Sequence, residues 1–126
     1  MVRIGLDVLG GDFAPEVTMG SLALLAPELR ENEKIVLFGD REKIEAYLLQ
    51  NPQFTLFTEV VHAPEVIGMG EKPIKAFQAK PNSSIVKGFE YLKKAKIDAI
   101  ASAGNSGAMM VGAVYVINTI PGVIRP

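Results

Sequence analysis

The densest group of chemistry-bearing residues in this chain is Ser102-Ala103-Gly104-Asn105-Ser106-Gly107. A short apolar run, Ala99 to Ala101, precedes it, and the nearly all-apolar segment Ala108 to Ile117 follows. The spacing predicts a strand, a glycine loop and a buried helix, in that order. Such an order presents main-chain amides to anions. Glycine permits a tight turn and close approach, and the first helical turn leaves N–H groups unpaired at the positive end of its dipole. Asn105 and Ser106 add short polar side chains that either cap the helix or bond a ligand oxygen. The loop is a candidate phosphate or acyl-carbonyl site, although the same residues are also good turn and cap chemistry without any ligand. Neither G-x-G-x-x-G nor G-x-x-x-x-G-K-[ST] occurs here, so no nucleotide fingerprint supports the loop.

The elements that must position this loop follow from periodicity. Val2 to Leu9 reads as a strand closed by Gly10-Gly11, and Pro15 opens a helix from Glu16 to about Ala26, ended by Pro27. Ile35 to Phe38 is a continuous apolar run of the kind found in central parallel strands, and Arg41 to Gln50 is an amphipathic helix with Ile44, Tyr47 and Leu48 on one face. Phe54 to Val61, rich in aromatic and β-branched residues, predicts a third strand. From His62 to Pro81 the punctuation by Pro64, Gly68, Gly70 and Pro73 predicts a long irregular loop with one or two helical turns. Asn82-Ser83-Ser84 caps a helix carrying Ile85, Phe89 and Leu92, with Lys93, Lys94 and Lys96 in its last turn. Strands alternating with helices imply right-handed crossovers and a parallel sheet covered on both faces, with ligands gathering at the carboxyl ends of the strands.

Composition narrows the function classes. The chain has 126 residues, which predicts a single α/β domain, 1–126. A formal net charge of −1 argues against a nucleic-acid binder, since phosphate backbones call for a basic excess. The chain has no cysteine, so it has neither disulfides nor thiolate chemistry, and His62 as the single histidine leaves no multi-histidine metal centre within one chain. The amino terminus enters a strand without a secretory pattern, and Ala108 to Ile117 is well short of the roughly 20 apolar residues that span a bilayer.

Four stretches taken together resemble a known family. Asp7-Val8-Leu9-Gly10-Gly11-Asp12 with Ala14-Pro15, Ile67-Gly68-Met69-Gly70-Glu71-Lys72-Pro73, Ser83-Ser84, and Ser102 to Ala108 are similar, in that order, to motifs of the bacterial acyl-ACP:phosphate acyltransferases of phospholipid synthesis. Ser106 stands where that family more often has Thr, which keeps the hydroxyl, and Gln78 falls near a position where many members carry Arg. The resemblance implies attack of inorganic phosphate on the thioester of acyl-[acyl carrier protein], giving acyl phosphate and free carrier, without a cofactor or metal. It also implies a three-layer α/β/α fold related to isocitrate and isopropylmalate dehydrogenases, a homodimer, a cytoplasmic location and loose contact with the inner face of the cell membrane. Members of the family are longer, so this chain reads as an amino-terminal portion, with membrane-contacting parts beyond Pro126.

Under that reading the protein must position phosphate and thioester and stabilise the carbonyl oxyanion. Asn105 and Ser106 become the candidate catalytic residues, with Gly104 and Gly107 offering main-chain donors. Lys72, and less directly Lys75, would neutralise phosphate as point charges, unless they are simply solvated. Ser83 and Ser84 would bond phosphate oxygens at a second helix start, or one of them is only a cap. Asp7 and Asp12 would repel phosphate, so a structural or supporting role suits them. His62 offers a proton shuttle or nothing. Lys93, Lys94 and Lys96 offer a surface for an acidic carrier protein, or simply complement a helix dipole. Two other functions compete: a pyridine-nucleotide β-decarboxylating dehydrogenase of related fold, and a non-catalytic folding or dimerisation fragment.

Overall fold

Ile35-Val36-Leu37-Phe38 is buried at every position, and the sheet is built around it. The computed structural model describes residues 1–125; Pro126, the last residue of the expected domain, lies outside them. The run belongs to strand β2 (Glu33–Gly39), flanked by β1 (Val2–Asp7) and β3 (Thr58–His62). A short strand, β4 (Ala99–Ala101), pairs with the other side of β1, giving the order β3-β2-β1-β4 with every pairing parallel. Parallel strands need crossovers, which α1 (Glu16–Leu25), α2 (Arg41–Gln50), α3 (Pro73–Ala79) and α4 (Ser84–Lys93) supply; α5 (Ser106–Val111) follows β4.

Alternation along the strands sorts the core onto two faces. Ile4, Leu6, Ile35 and Leu37 point toward α1 and α2, where Met19, Leu22, Ile44 and Leu48 meet them. Val36 and Phe38 point to the other face, against Ala63, Ile97 and the Tyr91 ring of α4, which meets Phe38 edge-on at 5.2 Å. Position 5 belongs to that second face and is glycine because a Cβ there would stand 2.8 Å from Ile97 and 2.9 Å from Phe38. The close approach allows a bulky ring to fill the centre of the sheet. A third cluster, around Ile85, Phe89 and Ala108, joins α3, α4 and α5.

Two expectations need correction. Pro52–Leu56 is a 3-10 turn, and the strand expected from Phe54 begins only at Thr58. The aromatics there serve the core instead: Phe54 is buried, stacks on Tyr47 at 6.4 Å and packs against Phe57 at 5.9 Å. Helix α1 ends where expected, closing at Leu25 with Ala26 as its cap, and Ala26–Glu28 tightens into a 3-10 turn that accommodates Pro27. The last helix is not wholly buried. It widens into a π-type segment at Gly112–Ile117, with Ala108 and Gly112 buried but Met110, Tyr115 and Ile117 exposed. An all-apolar stretch has no polar face to mark its outer side, so periodicity could not show that this helix is covered on one side only.

Burial in β2 sets a stability test. Leu37 is fully buried, so Leu37→Ala should cost about 2–5 kcal/mol by urea denaturation, whereas Leu49→Ala, on the exposed face of α2, should change stability by less than about 0.5 kcal/mol.

Candidate active site

Because β1 and β4 are adjacent and Leu6 is in register with Ala101, the next residues, Asp7 and Ser102, meet at the carboxyl edge of the sheet. The strand order reverses here: the chain runs outward through β2 and β3, then crosses back to the far side of β1. Open parallel sheets bind ligands at this kind of reversal.

Asp7 is 1% exposed. One carboxylate oxygen accepts the Leu9 N–H at 3.0 Å, and the other accepts the Ser102 hydroxyl at 2.7 Å. The Ser84 hydroxyl and the Gly10 N–H also approach it and favour its charged form, the Gly10 N–H donating to the Asp7 main-chain carbonyl at 3.4 Å. Burial raises the Asp7 pKa above its ordinary 3.8, against the pull of these hydrogen bonds, which favour the charged form. The two glycine loops press together above it. A Cβ on Gly104 would lie 2.6 Å from the Gly10 Cα, and one on Gly10 would lie 2.6 Å from the Asp7 carboxylate. Glycine is required at both positions by this contact between the loops, whether or not a ligand binds.

Asn105 holds an unusual backbone, φ 23° and ψ 87°, at the start of α5. Its side-chain oxygen accepts the Ala108 N–H at 3.0 Å, and its amide nitrogen donates to the carbonyls of Gly68 at 2.8 Å and Glu71 at 3.3 Å. Its own N–H points to the Met69 sulfur at 3.0 Å, and the Gly104 N–H to the Ser102 hydroxyl at 3.1 Å. The expectation that Asn105 and Gly104 donate to a ligand oxygen is therefore corrected, since their donors are already engaged. The N–H groups of Ser106 and Gly107 have no partner among the described residues, and the Ser106 side chain is exposed.

The His62–Pro81 segment is tied to this edge. Glu71 accepts the Gly68 N–H at 2.5 Å and pairs with Lys80 at 2.8 Å, and Lys80 together with that N–H lowers the Glu71 pKa. Lys72 caps α3, whose Pro73 lies so close to Gly107 that a Cβ there would meet it at 2.4 Å. Lys72 and Lys75 are exposed, and among the described residues neither pairs with a carboxylate. Ser83 and Ser84 are 0% and 1% exposed. Ser83 accepts the Val86 N–H at 3.2 Å as a cap, and Ser84 faces Asp7, so neither hydroxyl reaches an incoming phosphate; burial corrects that expectation. Asp12 is exposed on the turn after β1. His62 lies apart from this loop, its Nδ1 accepting the Arg41 N–H at 3.1 Å. Of the carboxy-terminal lysines of α4, Lys94 pairs with Glu90 at 2.7 Å and Lys96 sits 4.9 Å from the Tyr91 ring centre. Sequence reasoning missed the clamp from Asn105 to Gly68 and Glu71, which joins residues more than thirty positions apart. The only local signal was the glycine-rich run around Met69. Among the described residues no group of acidic or histidine side chains is arranged to hold a metal ion.

Two measurements probe this geometry. Since folding raises the Asp7 pKa, the native chain holds that proton more tightly than the unfolded chain, and the Asp7 contribution to stability falls as pH rises from 3.8 through the folded pKa. Asp7→Asn does not titrate, so its stability relative to the natural sequence should rise across that window and level off above it, as read by urea midpoints from about pH 3 to about pH 8. A relative stability of Asp7→Asn that falls with rising pH across that window would contradict the assignment. Asn105→Ala should lower stability by about 1–3 kcal/mol and speed hydrogen exchange at Ala108, because it removes the helix cap and releases the Gly68–Glu71 turn.

Comparison with known proteins finds relatives along essentially the whole chain. The model of the family described as "Fatty acid synthesis protein" matches residues 2–126. The chain is 42% identical over 125 residues to the phosphate acyltransferase of Caldicellulosiruptor bescii, covering 99% of this chain and 37% of that protein. It is 41% identical over 126 residues to the phosphate acyltransferase of Desulforamulus reducens, covering 100% of this chain and 37% of that protein. With the phosphate acyltransferase of a Shewanella species, strain W3-18-1, it shares 40% identity over 126 residues, 99% of this chain and 36% of that protein. The chain thus spans less than two-fifths of the length of these relatives. Matched along essentially its whole length, it belongs to the fatty acid synthesis protein family, corresponds to an amino-terminal portion of its members, and has acyltransferases as relatives.

Proposed function

We propose that this chain forms the amino-terminal part of an enzyme that transfers a fatty acyl group from acyl-[acyl carrier protein] to inorganic phosphate. A phosphate oxygen attacks the thioester carbonyl carbon, the C–S bond breaks, and the carrier thiol leaves with the electron pair and takes up a proton. Thiolate is a good leaving group, so the main demands are placement of the two reactants and stabilisation of the carbonyl oxyanion. The observation that carries the reading is the pair of N–H groups at Ser106 and Gly107, without a partner among the described residues, beside the exposed Lys72 at the carboxyl edge of the sheet. Those two amides serve the oxyanion, with the Ser106 hydroxyl close by, and Lys72, assisted by Lys75, balances the phosphate charge. Asn105 fixes the direction of the amides, and Asp7, Ser84 and Ser102 hold the two loops in register.

The wider reading includes a larger sheet related to that of isocitrate dehydrogenase, a homodimer, and peripheral attachment to the cytoplasmic face of the membrane. Among the described residues no helix is long and apolar enough to cross a membrane. Carrier docking falls to basic surface, to which Lys93 and Lys96 contribute.

The test replaces the matching part of the Caldicellulosiruptor bescii relative with this chain and measures acyl phosphate by mass spectrometry, with acyl carrier protein thioester and phosphate as substrates. Acyl phosphate formation that requires both substrates supports the reading, and a folded chimera that forms none overturns it. Lys72→Ala in the same chimera should raise the KM for phosphate about tenfold or more while leaving kcat within about twofold, because a charged contact to bound phosphate is lost. An unchanged phosphate dependence removes Lys72 from the site.

A further inference from the structure

A cavity of about 310 Å³ opens at the same edge of the sheet, between α1 and α2, and no step of the reaction above uses it. Its floor is apolar: Val8, Met19 and Ile44 are buried, and the half-buried Tyr47 lines one side. Glu16, Asp40 and Lys43 stand at its rim, where they keep contact with solvent. Leu9 lines the wall nearest the glycine loops and precedes Gly10, the residue that packs on Gly104. Gly104 in turn lies two residues before Ser106, the first residue of α5.

Resting on the acyltransferase reading, we infer that this cavity holds the acyl chain of the thioester substrate. Its volume suits roughly ten groups the size of a water or methylene, a medium-length chain. Burying such a chain against Val8, Met19 and Ile44 is favourable in proportion to the apolar area removed from water. The rim selects the polar end. Two carboxylates against one ammonium disfavour a free fatty acid anion, whereas a thioester is neutral and meets no such repulsion. Anchored there, the chain directs its carbonyl past Leu9 and the Gly10 turn toward the Ser106 and Gly107 amides.

The experiment titrates the 126-residue chain with decanoyl-pantetheine, following methyl NMR signals of Val8, Met19 and Ile44, with decanoate, pantetheine and adenosine as comparison ligands. Saturable shifts at those methyls, absent with pantetheine and weaker with decanoate, are expected. Leu9→Trp should weaken binding by about tenfold or more, since it fills the inner wall. Glu16→Gln, a change at an exposed position, should strengthen decanoate binding severalfold and leave the thioester unaffected. Shifts centred instead on Met110 and Ile117, displacement by adenosine, or full affinity in a folded Leu9→Trp variant would overturn the assignment. Cavity binding without acyl phosphate formation in the chimera overturns the proposed reaction and leaves the cavity standing. Acyl phosphate formation with undiminished binding by Leu9→Trp does the reverse.

Discussion

The carboxylate of Asp7 is the point on which the carboxyl edge depends. A buried negative charge is costly unless its oxygens are hydrogen-bonded, and this one collects donors from its own turn, from the first turn of α4 and from the loop after β4. The three segments come from opposite ends of the sequence, with Asp7 and Ser102 separated by 95 positions. Withdrawing any one donor leaves the others to stabilise a charge in an apolar setting. The arrangement is thus cooperative, and it holds the Gly10 and Gly104 loops at a separation that admits no side chain between them.

That closure decides which groups remain available. Most polar atoms of the Ser102–Gly107 loop are committed inside the protein: Gly104 to Ser102, Asn105 to Met69, Gly68, Glu71 and its own helix. What is left for a ligand is narrow, two amides at the start of α5 and the lysines at the start of α3 that Pro73 brings against Gly107. Rigid support behind a small exposed set of donors is the arrangement that electrostatic catalysis favours, since donors already fixed in place need no reorganisation as charge develops. The Glu71–Lys80 pair contributes to this rigidity by closing the segment from which Asn105 takes its acceptors.

The apolar cavity and the polar loop lie on opposite sides of the β1 turn, so a single short segment, Val8 to Gly11, borders both. One wall serves an oily compartment and the other a hydrogen-bonded one. A substrate with an apolar tail and a reactive polar head has the same division along its length.

The sequence alone determined the order of elements, because each carries its own signal: the buried run Ile35 to Phe38, the Asn82-Ser83-Ser84 cap, the Pro15 entry and the glycine loop before Ser106 are all local patterns. The four motif stretches likewise carried the family. Local signals misread Phe54, whose ring answers to the core beneath α2 and not to a strand, and they could not tell which side of the apolar stretch after Gly107 faces solvent. Only the tertiary structure decided the fate of individual donors. Whether Asn105, Ser83 or Ser84 reaches a ligand depends on partners distant in sequence, Gly68 and Glu71 for the first and Asp7 for the last, and on burial that no periodicity encodes. Hydrogen-bond capacity is written in residue type, but how that capacity is used is settled by what packs beside it.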